Sequence, residues 1–89
     1  MTDKIINNII IFDGENEHIG LDIYKSDTLK KLLNDYYVYH FPKGFQNEVI
    51  EQGGTFYIST DKDLSNINIK LKNVSQETLD RFYQIYKQY

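Results

Sequence analysis

Apolar positions recur along this chain with two different periods, and the changes of period mark the expected elements. Ile5 to Phe12 is dense in β-branched residues, Asp13-Gly14 supplies turn chemistry, and Ile19, Leu21 and Ile23 then alternate with small or polar residues. This reads as a hairpin with its loop near Asp13 to Glu17. A period of two puts Ile19, Leu21 and Ile23 on one buried face and His18, Gly20, Asp22 and Tyr24 on the other, so one face of the sheet is expected to be wet. Ser26 or Asp27 can cap a helix, and Leu29, Leu32, Leu33 and Tyr36 follow at i, i+3, i+4 and i+7. That helix is predicted to reach about Tyr39, against a competing extended reading of Tyr36 to Phe41 before Pro42.

Lys43 to Gly54 holds three of the five glycines and little periodicity, which predicts a loop with at most a short strand near Glu48 to Glu51. Phe56 and Ile58, then Ile67, Ile69 and Leu71, alternate with polar neighbours across a polar connection from Thr60 to Asn66, the pattern of a second hairpin. Asn73 or Ser75 can cap a final helix with Glu77 near its positive end. Its apolar residues Leu79, Phe82, Tyr83, Ile85, Tyr86 and Tyr89 span an arc of about 160°. The order implies one α+β domain over 1–89: a small two-layer structure with an antiparallel sheet of four or five strands in ββα-ββα order and two helices packed on one face. Ile19, Leu21, Ile23, Thr28-Leu29 and Ile67, Ile69, Leu71, Thr78-Leu79 match loosely, as in a degenerate ββα duplication.

Charge narrows the function classes. Ten basic and thirteen acidic residues give a net charge of −3, nine of the ten bases are dispersed lysines, and only Arg81 offers a bidentate fork. A phosphate backbone is bound by clustered cations, so a nucleic-acid partner is disfavoured. With no cysteine, disulfides, thiolate metal sites and cysteine nucleophiles are excluded. Asn7 and Asn8 interrupt the only isoleucine run near Met1, so neither export nor membrane insertion is indicated, and a soluble cytoplasmic protein is expected. Twelve Ile, eight Asn and nine Lys beside one Arg suggest an AT-rich origin such as a low-GC bacterium or its phage.

Candidate chemistry is sparse. Asp13, Glu15 and Glu17 flank Gly14 in one loop, but their spacing and number do not meet the roughly six oxygen ligands of a calcium loop, and Asp61 and Asp63 read as ordinary turn residues. No metal and no cofactor are expected. His18 and His40 are the only side chains with an unperturbed pKa near neutrality, and neither lies in a nucleophile elbow, so both read as structural and no catalytic residue is assigned. Gly53-Gly54 lacks the strand, spacing and lysine of a phosphate loop.

Tyrosine departs from expectation, with eight in 89 residues, concentrated at Tyr36, Tyr37 and Tyr39 and at Tyr83, Tyr86 and Tyr89. Wide rings fill a small core, and the same rings carry protein interfaces because they offer large area with little entropy to lose. The expectation is a non-enzymatic protein-binding module of the phage-inhibitor or immunity-protein kind, with Tyr37, Tyr39, Tyr83, Tyr86 and Tyr89 touching the partner. The alternatives are a homodimeric structural protein and a small-molecule (nucleotide) binder in which Lys43, Lys70 or Lys72 meets phosphate.

Overall fold

Strand alternation at Ile9 and Ile11, Phe56 and Ile58, and Ile69 and Leu71 builds one continuous apolar surface, and three helices cover it. The computed structural model describes residues 8–86. Strands β1 (Ile9–Phe12), β2 (Glu17–Ile19), β3 (Thr55–Ser59) and β4 (Asn68–Lys72) lie in the order β2-β1-β3-β4. Helices α1 (Asp27–Leu33), α2 (Lys43–Glu51) and α3 (Gln76–Ile85) contribute Leu29, Leu32, Leu33, Phe45, Val49 and Phe82 to the same core as the strands' buried residues. Extents of 33 × 33 × 20 Å match one sheet layer and one helix layer.

Both hairpins form, the first with a second strand that ends at Ile19 and does not continue to Ile23, but the sheet is mixed rather than antiparallel. β1 and β3 pair in parallel, Ile9 opposite Phe56 and Ile11 opposite Ile58, while β1 with β2 and β3 with β4 are antiparallel. Phe56 N–H donates to the Asn8 carbonyl at 2.9 Å and Thr60 N–H to that of Phe12 at 2.8 Å, which fixes this register. A parallel pair needs a long crossover, and here β2, α1 and α2 supply it. The chain therefore sets its two hairpins side by side through their first strands, and three α-helices among the described residues replace the two of a ββα-ββα repeat. Ile5 to Asn7, part of the expected first strand, lie outside the described residues.

Local departures have separate causes. Gly20 takes φ +65°, a left-handed value that ends β2, and a 3-10 helix over Gly20–Lys25 follows. Three residues per turn bring only Ile23 to the core and leave Leu21 68% exposed, while Ile19, paired with Ile10 on the sheet face away from the helices, is 51% exposed; neither is buried with Ile23 as the alternation predicted. Ser26 caps α1 by accepting from Leu29 N–H at 3.3 Å. The helix then widens into a π turn over Asn34–Val38, with Tyr39 N–H bonded to Asn34 O at 3.1 Å. Leu33, Tyr37 and Phe41 are all buried at a spacing of four, which overruns the 3.6-residue α turn, and the π turn absorbs the excess.

The expected loop at Lys43 to Gly54 is helix α2 over most of its length. Pro42 precedes it at φ −59°, and Phe45, Gln46 and Val49 form its buried stripe. Gly53 (φ +74°) stops it, with Gly53 N–H bonded to Ile50 O and Gly54 N–H to Val49 O at 2.9 Å. A Cβ on Gly54 would strike methyls of Val74 and Val49, so the glycine pair serves a helix stop and a close approach. Ser75 caps α3 as expected, accepting from Thr78 N–H at 3.3 Å. No helix among the described residues is long and apolar enough to cross a membrane.

Candidate partner-binding surface

The two tyrosine-rich segments, far apart in sequence, converge in space. The turn after the π segment carries His40 and Phe41 against the end of α3: His40 lies 5.8 Å from Tyr86 edge to face, and Phe41 lies 6.1 Å from Tyr86 and 5.7 Å from Phe82. Tyr36 stacks on His40 at 6.0 Å with nearly parallel planes, and Tyr83 meets Phe82 at 5.3 Å. Such pairs each add about 0.5–1.5 kcal/mol beyond area burial. Buried Phe41 and Phe82 form the inner rings of a patch whose outer rings are Tyr36, His40, Tyr83 and Tyr86.

The residues expected to touch a partner separate. Tyr39 is 75% exposed and Tyr83 55% exposed. Tyr86 is half-buried, and loss of hydration raises its phenol pKa above the usual value. Tyr37 is a core residue with no exposed surface, its ring 4.7 Å from Phe56. It therefore leaves the contact set, because the π turn points it inward. Its hydroxyl meets no group in hydrogen-bonding geometry among the described residues, and burial pushes its pKa up to about 12, only partly opposed by the Asn8 side chain. Tyr89 lies outside the described residues.

Sequence reasoning missed a second apolar surface on the helical layer. Leu21 and Tyr24 share a face of the 3-10 helix at i and i+3, and Tyr24 and Val38 line an open groove of about 480 Å³ floored by Leu33. Its polar rim is internally compensated, Lys30 with Asp27 at 3.4 Å and Lys31 with Asp35 at 2.6 Å. Gly20 was the signal, since a glycine inside an alternating run marks a break.

The remaining polar candidates are joints of the fold. Asp13 Oδ1 accepts from the N–H groups of Glu15 (3.0 Å) and Asn16 (2.9 Å), and Oδ2 lies 2.8 Å from His18 Nε2. These bonds, that of Asn16 foremost, hold the Asp13 pKa down at about 2. A cleft of about 270 Å³ opens beside this pair, but Ser26 on its wall is occupied as a helix cap and His18 faces a carboxylate, not a hydroxyl. Lys62, opposite, pairs with Glu15 at 3.3 Å. Asp61 is likewise consumed by Ser65 and Asn66.

Arg81 is bound to Glu48, which also accepts from Thr78 Oγ1 at 2.6 Å, while Gln52 bridges Thr78 and Ser75 N–H at 2.7 Å each. The single guanidinium thus locks α3 to α2 and lowers the Glu48 pKa. Lys43 opens α2 in the helical layer, whereas Lys70 and Lys72 lie on the other side of the sheet, so these three do not converge. No family model, curated protein or solved structure matches the chain.

Proposed function

We propose that this chain is a non-enzymatic protein-binding module that masks a surface on another protein, in the manner of a small phage-type inhibitor or immunity protein. The observation that supports this most directly is the meeting of the two tyrosine-rich segments at His40 and Tyr86, with the exposed Tyr83 among the outer rings of that patch and the exposed Tyr39 next in sequence to His40. Buried Phe41 and Phe82 hold the backbone beneath, so the outer rings are partly ordered before a partner arrives, and ordering cost at association falls. Tyr39, Tyr83 and Tyr86 carry the contact in this reading, joined by Tyr89 on the sequence argument.

The test is affinity capture from lysate of the encoding organism with the tagged chain and with a Tyr39→Ala/Tyr83→Ala variant. A stoichiometric protein retained by the first and bound at least about tenfold more weakly by the second, a difference of about 1.4 kcal/mol, is expected. Equal retention by both would remove these tyrosines from the interface.

A further inference from the structure

We infer that the outer edge of β4 is a docking site for an extended segment of another protein, one that alternates apolar and acidic residues and joins the sheet as a further, antiparallel strand. The inference goes beyond the masking reading, because it uses the backbone of a strand edge rather than the tyrosine rings. β4 is the last strand in the order β2-β1-β3-β4, so one side of it has no neighbouring strand among the described residues. Phe56 and Thr60 donate their N–H groups to β1, so Thr55, Tyr57 and Ser59 turn theirs to β4, where they meet Lys72, Lys70 and Asn68. Ile69 and Leu71 therefore turn N–H and C=O outward, and no backbone partner among the described residues meets them there. A groove of about 370 Å³ follows this edge between β4 and α3, lined by Ile69, Lys70, Leu71, Lys72, Phe82 and Tyr83. Leu71 keeps 7% of its surface exposed and Ile69 none, so an incoming backbone is anchored at Leu71. Unpaired edge groups are a template for another strand, and side chains at alternate positions decide which strand is accepted.

Charge selects the occupant. Lys70 and Lys72 form no ion pair among the described residues, whereas Lys25, Lys30, Lys31, Lys62 and Arg81 each have a carboxylate. Lys72 Nζ instead sits 5.2 Å from the centre of the Tyr57 ring, on the sheet face away from the helices. Residues directly opposite one another in an antiparallel pair share a face, with Cβ atoms about 4.5–5.5 Å apart. The residue that bonds Leu71 thus turns its side chain to the helical side, toward Phe82 and Tyr83, and must be apolar. Its neighbours in the added strand stand opposite Lys70 and Lys72, where a carboxylate completes an ion pair that the chain itself leaves unmade. A second copy of this chain does not fit. Residues that bond outward pair only with residues that bond outward, so β4 against β4 sets lysines of one copy opposite lysines of the other, and like charges so placed destabilise the pair. The same two lysines that keep the edge from pairing with itself therefore admit an acidic strand.

An NMR titration of the full chain with an end-blocked peptide of about eight residues, valine alternating with glutamate, tests this up to about 1 mM, where weak complexes populate. The Leu71 amide is expected to shift and to gain protection from hydrogen exchange. Lys70→Glu/Lys72→Glu is expected to weaken binding of this peptide at least about tenfold and to accept a valine–lysine peptide that the wild type rejects. Far-UV circular dichroism establishes that the variant is folded. An analogue N-methylated at its valines keeps every side chain but cannot donate to the Leu71 carbonyl, and its binding is expected to be lost. No binding at about 1 mM, equal binding by the charge-reversed variant, or undiminished binding of the methylated analogue overturns the strand site. Each of these outcomes leaves the lysate-capture comparison as it stands, so the two readings fail separately.

Discussion

Phe56 and Tyr57 are neighbours on β3, yet they serve faces of the sheet that are stabilised by different means. Phe56 has no exposed surface and lies within 6.4 Å, ring centre to ring centre, of Tyr37, Phe41, Phe45 and Phe82. Tyr57 is half-buried, its hydroxyl on Glu17 and its ring under Lys72, and no helix-borne ring lies against it among the described residues. The helical face gains its stability from close packing of aromatic rings, whereas the open face is held by polar and cationic contacts that water screens. One alternating pattern has built a core on one side and an available surface on the other.

Substitutions that act on one face only break or sharpen this contrast. Phe56→Ala is expected to cost about 3–5 kcal/mol in urea-induced unfolding, enough to leave much of so small a domain unfolded; a loss under about 1 kcal/mol would mean that the core is not centred there. Asp13→Asn, at the loop joining the central strand to β2, is expected to cost about 1 kcal/mol by weakening two backbone hydrogen bonds and the His18 contact. Because the folded Asp13 pKa is depressed from 3.8 to about 2, its stabilisation is complete above the unfolded value. It is lost as pH falls from there through the folded value, and denaturation midpoints between pH 5 and 2 should fall more steeply for wild type than for Asp13→Asn.

Tyr37→Phe removes a buried hydroxyl that lacks a partner among the described residues and is expected to raise stability by up to about 1 kcal/mol. Destabilisation would instead show that the hydroxyl bonds Asn8 in solution. Tyr57→Thr, which keeps a β-favouring side chain on the open face, should change monomer stability by no more than about 0.5 kcal/mol. A cost comparable to that of Phe56→Ala would show that both faces are core.

The second hairpin and α3 were legible because Phe56, Ile58, Ile69 and Leu71 keep strict alternation and Ser75 offers an unambiguous cap. The first hairpin was legible only to Ile19. Leu21 and Ile23 continue the alternation in sequence, but the left-handed Gly20 changes the period from two to three. Helix α2 escaped notice because its glycines suggested loop, although Pro42 and Gly53 bracket Phe45 and Val49 at i, i+4. For the candidate surface, composition singled out tyrosine in two segments without separating Tyr37 from Tyr39. Two positions apart, one is wholly buried and the other 75% exposed.

Local chemistry thus determined the hairpins, the caps at Ser26 and Ser75, the amphipathic stripes and the tyrosine excess, because each depends on residues within about one turn or one strand of one another. Tertiary structure alone decided that β1 lies beside β3, that the π turn buries Tyr37, that Arg81 is spent on Glu48, and that His40 meets Tyr86. These outcomes join residues up to 47 positions apart, and their free energy comes from packing around a shared core, a quantity that no single window of the chain contains.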